Sequence, residues 1–368
     1  MIDIETTTIT VNDMVEMLSN TYISTIKSHT PFKRIPSVML WGPPGVGKSQ
    51  GMWQIAEKIR ENTKRKVNIT DVRLLLFNPV DLRGIPTSNA DKTLAVWLKP
   101  KIFQMDESDD VVNILFLDEI SAAPPSVQAA AYQITLDRVI GEHRLPDNCI
   151  VIAAGNRVTD KSVAYTMPKA LANRLCHLEI CSDNKSWHKW ALRAEIHESV
   201  IGFLSHKPSM LMHDAANDED YAFATPRSWE MVSNLLKYAT DDLEQIFPML
   251  VGCVGKEAAI KFREWYDVFE NAPPVNKIFK GTHTAIPHIP SIIFALSSRI
   301  VAYARKNNSK EELDNAIDYV ARFPIEFRNK VFYDLLQIKE IRHHLKANTL
   351  FCEWFDRTGK NWEYYDVD

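Results

Sequence analysis

The sequence predicts an α/β fold in which a five-stranded parallel sheet lies between helices and is followed by an all-α region. Between residues 36 and 182, short apolar runs alternate with helical patterns, as in parallel sheets covered on both faces. Beyond residue 183 the pattern is helical. We predict a core at 1–183, a helical lid at 184–270, a proline-rich connector at 271–290 and a C-terminal helical region at 291–368.

Five apolar runs are the candidate strands. Each is nearly continuous in apolar residues, as strands buried on both faces must be, and they span residues 37–41, 72–77, 113–118, 149–155 and 176–181. Ligands of such sheets bind beyond the carboxyl ends of the strands. A glycine-rich segment follows the first run, the third run ends in Asp118 and Glu119, and Asn156 follows the fourth. We expect these three strand ends to converge on one ligand.

The segment after the first strand fits the pattern GxxxxGK[ST]. Its glycines allow consecutive backbone N–H groups to converge on phosphate oxygens, its lysine adds a positive charge, and its serine hydroxyl can bind Mg²⁺. An apolar strand precedes it, and a helix with one apolar face follows, which is the order that a nucleotide-binding loop requires. The predicted ATP-binding residues are Gly42, Pro43, Pro44, Gly45, Val46, Gly47, Lys48, Ser49 and Gln50.

Two adjacent carboxylates end the third predicted strand, in the run ILFLDEI. In such a pair, Asp118 can hold Mg²⁺ together with Ser49, while Glu119 polarises the water that attacks the γ-phosphate. The alternative is a strand end that simply turns into solvent. The glycine loop and Asn156, at the expected intervals, favour the catalytic interpretation.

The order GPPGVGKS, LFLDE, AAGN and ALANRL resembles an AAA+ ATPase core, and its details resemble the MoxR type, over roughly residues 10–240. The resemblance implies that Asn156 is sensor 1, which orients the attacking water. It implies that Arg174, in MPKALANRL at 167–175, is a finger that reaches the nucleotide of a neighbouring subunit. It also implies that Arg227, in FATPRSWE, is sensor 2, which contacts the γ-phosphate.

Each arginine has an alternative. Arg174 could be a surface or salt-bridge residue, and Arg227 could be a residue at the start of a helix, after the Thr225 and Pro226 start signals. Arg157 competes for either role because it adjoins Asn156.

Two further segments support the MoxR-type resemblance. Residues 78–100 and 137–149 resemble hairpins that would project from the same face of a ring toward its pore. Asn78, at the start of the first segment, is either a helix cap or a polar residue that swings Glu119 off its water until substrate arrives.

Function follows from the resemblance. It implies a Mg²⁺-dependent ATPase that forms a ring of six subunits and remodels a partner protein, with a von Willebrand A domain protein as the partner type. A nucleic-acid motor and a slow nucleotide-operated switch are the alternatives. The net charge of −4 and the isoelectric point near 6.3 give no reason to expect nucleic acid. Neither a signal peptide nor a membrane span is expected, so we predict a cytoplasmic protein.

Overall fold

The computed structural model describes residues 8–157, 165, 167, 172–213, 221–239, 242–307 and 309–359. The chain divides into two compact units, Met1–Asp183 and Asn184–Asp368. The first is α/β and the second is helical, so the predicted fold class is confirmed. Within the described residues, no helix combines the length and the apolar character needed to cross a membrane.

Ten strands lie in the described part of the first unit: β1 (Thr8–Thr10), β2 (Val38–Trp41), β3 (Lys66–Arg73), β4 (Ile85–Ser88), β5 (Ala95–Leu98), β6 (Val111–Asp118), β7 (Val139–Ile140), β8 (His143–Arg144), β9 (Cys149–Gly155) and β10 (Cys176–Cys181). Six of them form a parallel sheet in the order β1-β10-β2-β9-β6-β3. The strand that leads into the glycine loop is therefore central.

The sheet differs from the prediction at its two edges. β1 is a sixth strand, which pairs with β10 and has only three residues, too few for an apolar run. The second predicted strand, at 72–77, is wrong in position, because the chain is extended over Lys66–Arg73 and then forms a 3₁₀ turn. As an edge strand, β3 does not need the continuous apolar character that central strands need.

The described part of the first unit also contains four helices: α1 (Val11–Lys27), α2 (Lys48–Thr63), α3 (Pro79–Arg83) and α4 (Pro125–Asp137). Short 3₁₀ turns lie at Phe32–Arg34, Leu74–Leu76 and Lys101–Phe103. Apolar residues of α1 and α2 pack on one face of the sheet and those of α4 on the other. The apolar face predicted for α2 is buried, which fixes this helix and the glycine loop before it.

Both predicted hairpins are present. β4 pairs with β5, with Ile85 opposite Leu98, and β7 pairs with β8. The two hairpins are in contact, because His143 Nε2 lies 2.8 Å from the carbonyl oxygen of Trp97. The second hairpin therefore packs against the first, as expected if both project from one face.

The second unit has one apolar core. Its helices are α5 (Asn184–Arg193), α6 (Glu198–His206), α7 (Pro226–Tyr238), α8 (Leu243–Val254), α9 (Lys256–Glu270), α10 (Val275–Phe279), α11 (Pro290–Lys306), α12 (Lys310–Ala321), α13 (Ile325–Leu336), α14 (Arg342–Ala347) and α15 (Thr349–Arg357), with 3₁₀ turns at Pro208–Met210 and Lys339–Ile341.

Helix boundaries in the second unit follow local caps. The segment 186–204 has a continuous helical pattern in the sequence but forms two helices, because Glu195 has a left-handed backbone (φ 53°) and His197 caps α6. α7 begins with Thr225 as its cap and Pro226 in its first turn, as the sequence predicts. The boundaries of the lid, connector and C-terminal region remain predictions.

Candidate active site

The three strand ends predicted to converge are neighbours in the sheet. β9, which ends one residue before Asn156, lies between β2 and β6. Asn156 Oδ1 lies 3.1 Å from Lys48 Nζ, and Ser49 Oγ lies 2.9 Å from Asp118 Oδ2. The sheet order therefore brings the glycine loop, Asp118 and Asn156 into one site.

The backbone of the glycine loop has the conformation of an anion site. Gly45 (φ 75°) and Gly47 (φ 106°) adopt left-handed angles that glycine tolerates at little cost. Gly47 caps α2 without a side chain, and no acidic residue occupies the first turn of α2. The N–H groups at this helix start and the positive end of the helix dipole favour a bound phosphate.

At Gly42 the loop passes close to the sheet. A Cβ atom here would lie 2.5 Å from the carbonyl oxygen of Ile180 in β10. Only glycine allows this approach, so the start of the loop is held against β10.

Lys48 is buried at the centre of this arrangement. Its Nζ donates to the carbonyl oxygens of Gly42, at 2.6 Å, and Pro43, at 3.1 Å, and to Asn156 Oδ1. These contacts hold the ammonium group between the glycine loop and the end of β9, where it can contribute a positive charge to a bound triphosphate.

The donors at Ser49 and Asp118 fit Mg²⁺, which prefers a small set of hard oxygen ligands. The hydroxyl of Ser49 donates to the Asp118 carboxylate, so the two oxygens lie side by side. Throughout the described residues, no group of three His, Cys, Asp or Glu side chains could hold a metal ion. A magnesium ion at this site would complete its coordination with phosphate oxygens and water, as Mg²⁺ commonly does.

Electrostatics near Asp118 also favour a cation. Burial, and after it the negative charge of Asp118, raise the pKa of the neighbouring Asp71 on β3. A cation bound beside Asp118 would offset the repulsion that Asp71 experiences.

Glu119 has a strained backbone. Its φ is 58°, in the left-handed region that non-glycine residues seldom adopt. Its N–H donates to Asp118 Oδ1 at 2.9 Å, and the next N–H, of Ile120, donates to the carbonyl oxygen of Ala154 at 3.0 Å. Residues in such conformations cluster at functional sites, where surrounding contacts maintain the strain.

Sequence reasoning missed Ser121. Its Oγ accepts a hydrogen bond of 2.9 Å from the backbone N–H of Asn156. A Cβ on Gly155 would lie 2.7 Å from this oxygen, so glycine is needed there. Ser121 thus positions Asn156 relative to Lys48. No sequence signal except its place three residues after Asp118 could have found it.

The three arginines differ in their contacts. Arg157 Nη1 forms an ion pair of 3.1 Å with Glu179 on β10. Arg174 is exposed and makes no hydrogen bond or ion pair with the part of the chain that the structure describes. Arg227 is exposed in the first turn of α7, in the second unit. The roles of Arg174 and Arg227 remain predictions, and residues 168–171 of the finger motif lie outside the described residues.

Asn78 precedes α3. Its backbone N–H donates to Asp81 Oδ2 at 2.8 Å, as in a capping box. This contact fits the helix-cap alternative, and regulation of Glu119 by Asn78 remains a prediction.

Comparison with known proteins agrees with this geometry. Residues 37–177 match the model of the ATPase family associated with various cellular activities (AAA). The matched part of the chain is similar to an AAA-type ATPase domain. The matched residues include the glycine loop, Asp118, Glu119, Asn156 and Arg174.

Solved structures of low similarity were also found. PCH-2 of C. elegans is 13% identical, with 80% of this chain and 69% of that chain covered and a TM-score of 0.35. RuvB of Thermotoga maritima, as a K64R mutant, is 16% identical, with 73% and 74% covered and a TM-score of 0.34. NtrX of Brucella abortus is 14% identical, with 86% and 67% covered and a TM-score of 0.35.

No curated protein matches the chain.

Proposed function

We propose that this protein is a Mg²⁺-dependent ATPase of the MoxR type that assembles into a hexameric ring and remodels a partner protein. The observation that carries the ATPase part is the cluster in which Lys48 contacts Asn156 and Ser49 contacts Asp118. Residues from three separate strand ends meet there, around a helix start suited to phosphate.

In the proposed mechanism, Lys48 and the start of α2 bind the phosphates of ATP. Ser49 and Asp118 would hold Mg²⁺, which would neutralise part of the triphosphate charge. Glu119 accepts a proton from the attacking water, and Asn156 orients that water. Hydrolysis then yields ADP and phosphate.

The contacts of the arginines support the ring. Arg157 is engaged with Glu179 of its own chain, whereas Arg174 is exposed and is unpaired among the described residues. Arg174 is therefore available to a neighbouring subunit. There it would stabilise the negative charge that develops on the transferred phosphoryl group.

An apolar groove at the base of the first hairpin supports a protein partner. The groove has a volume of about 460 Å³ and is lined by exposed apolar residues, among them Leu76, Val80, Ile85, Leu98 and Ile102. Exposed apolar patches commonly mark interaction sites, and these apolar side chains offer no contact to a phosphate backbone.

The charged residues that line the groove indicate the chemistry of the segment that binds there. Lys99 and Lys101 line the groove, while the carboxylate of Asp81 accepts the N–H of Asn78. We propose that an apolar segment with acidic neighbours, on the remodelled protein, binds here. A von Willebrand A domain protein is the partner type implied by the MoxR resemblance.

Mixing two inactive variants tests the ring. Arg174→Ala should bind ATP normally but hydrolyse it about 10³–10⁵ times more slowly, because an arginine finger acts mainly in the transition state. Lys48→Ala should not bind ATP, yet it still carries Arg174. If Arg174 acts on a neighbour, a Lys48→Ala subunit completes the site of an Arg174→Ala subunit, so the mixture regains ATPase activity.

Subunit exchange, measured with fluorescently labelled chains, is the control. If subunits exchange and the mixture stays as inactive as its components, Arg174 does not act between subunits. Tight binding of DNA at physiological salt would favour the nucleic-acid motor instead.

A further inference from the structure

A hydrogen-bonded chain of two rings leads from the glycine loop to the turn that carries Arg174. Trp41 Nε1 lies 2.8 Å from His177 Nδ1, and the two rings are nearly parallel, with an angle of 9° between them. On its other side, His177 Nε2 lies 2.7 Å from the carbonyl oxygen of Ala172. Trp41 and His177 lie on the neighbouring strands β2 and β10.

The donor chemistry fixes the tautomer of His177. An indole N–H can only donate, so Nδ1 of His177 must be the acceptor. The ring proton is then on Nε2, which donates to the carbonyl oxygen of Ala172. The hydrogen bond from Trp41 therefore selects the neutral tautomer that donates to Ala172, and it orients the imidazole for that contact.

Both ends of this chain lie at the proposed catalytic machinery. Trp41 is the last residue of β2 and directly precedes Gly42 of the glycine loop. The carbonyl oxygen of Ala172 also accepts the N–H of Leu175 at 3.2 Å, which closes a turn over 172–175. Leu175 is buried at the end of this turn, and Arg174 is exposed on it.

We propose that His177 is a positioning residue for Arg174, and that Trp41 sets the tautomer with which it does so. The inference rests on the proposed function, in which Arg174 reaches the nucleotide of a neighbouring subunit. A finger on an exposed turn needs an anchor, since a misplacement of about 1 Å in a catalytic group can lower the rate roughly 100-fold. The His177 contact with Ala172 supplies that anchor.

Three substitutions separate the two hydrogen bonds. His177→Gln places an amide N–H near the position of Nε2, so it keeps the donor to Ala172. His177→Asn places an amide oxygen near the position of Nδ1, so it keeps the acceptor for Trp41 but loses the contact with Ala172. Trp41→Phe keeps an aromatic ring and removes the N–H. Trp354→Phe, which removes the indole donor to Asn329 in the second unit, is the matched control.

The decisive test uses the mixture of Lys48→Ala and Arg174→Ala subunits and introduces His177→Asn into only one of the two. In the Lys48→Ala subunit, which gives the arginine, we expect His177→Asn to lower the regained ATPase activity about 10-fold to 100-fold. In the Arg174→Ala subunit, which gives the nucleotide pocket, it should leave the regained activity unchanged. In the arginine-giving subunit, His177→Gln should lower the regained ATPase activity less than His177→Asn does. Trp354→Phe in the same subunit should not lower it.

The outcomes distinguish this inference from the proposed function. If Lys48→Ala and Arg174→Ala regain no activity together although their subunits exchange, the finger in trans fails and its positioning by His177 fails with it. If they regain activity and His177→Asn has no effect in the arginine-giving subunit, only the inference is overturned. An equal loss in both placements would show a general structural role for His177 and would also overturn it.

Discussion

At the scale of single residues, the site depends on the position of the Glu119 carboxylate. The left-handed backbone of Glu119 is held by hydrogen bonds of Asp118 and Ile120 on either side. Glu119→Gln keeps the size of the side chain but cannot accept a proton. We expect kcat to fall about 10²-fold to 10⁴-fold with an unchanged Kd for ATP, measured by steady-state hydrolysis and equilibrium binding.

Lys48→Ala is the contrasting variant, because it should lose ATP binding itself. Normal turnover of Glu119→Gln at saturating ATP and Mg²⁺ would remove Glu119 from the proposed mechanism.

Ser121 offers a second test at this scale. Ser121→Ala removes the acceptor of the Asn156 N–H, so Asn156 is less firmly placed beside Lys48. A hydrogen bond of this kind contributes about 0.5–1.5 kcal/mol, so we expect kcat to fall roughly 3-fold to 10-fold with little change in ATP affinity. Ser19→Ala is the control, because Ser19 Oγ is buried and makes no hydrogen bond to a described residue. Equal kcat values for the two variants would contradict a positioning role for Ser121.

At the scale of elements, a buried charge cluster joins α5 to α13 in the second unit. His188 Nε2 lies 2.9 Å from both carboxylate oxygens of Asp334 and 2.9 Å from Lys330 Nζ. Burial opposes ionisation of Asp334, but the neighbouring His188 and Lys330 outweigh it, so the pKa of Asp334 is lowered. The cluster therefore stabilises the ionised carboxylate.

Replacing Asp334 should destabilise the second unit. Asp334→Asn leaves Lys330 without its charge partner, so we expect the free energy of unfolding to fall by about 3 kcal/mol, at the low end of such losses because Lys330 is partly exposed. Glu195→Gln, at an exposed carboxylate that pairs with Arg305, should change it by less than about 0.5 kcal/mol. Urea unfolding measures the free energy of unfolding of both variants. Equal decreases for Asp334→Asn and Glu195→Gln would contradict the prediction.

The same cluster predicts a pH dependence. The pKa of Asp334 is lower in the folded chain than its unfolded value near 3.9. Its contribution is therefore present above about pH 4 and is lost as the pH falls through the folded pKa. The stability difference between the wild-type protein and Asp334→Asn should accordingly shrink below about pH 4.

At the scale of the whole molecule, Arg227 tests whether the helical unit responds to the nucleotide. Arg227 is exposed at the start of α7 in the second unit, and the MoxR resemblance implies that it contacts the γ-phosphate. Only ATP offers that contact, so Arg227→Ala should bring the affinities for ATP and ADP closer together. Unchanged ATP-to-ADP affinity ratios would leave Arg227 as a helix-start residue.

What the sequence determined by itself is local. The bounds of β9 and β10 were predictable because both strands are nearly continuous apolar runs. The glycine loop was predictable because glycine tolerates its positive φ angles. The start of α7 was predictable because Thr225 caps it and Pro226 follows. The convergence of three strand ends was also predictable, since parallel strands present their carboxyl ends at one edge.

What only the tertiary structure decided is pairing between distant residues. Lys48 and Asn156 are 108 positions apart, and Trp41 and His177 are 136 apart. Their contacts depend on which strands are neighbours in the sheet, and local periodicity carries no information about that order. The same reason explains the edges of the sheet: β1 is a strand because β10 offers it a partner, and β3 ends at Arg73 because its pairing with β6 ends there.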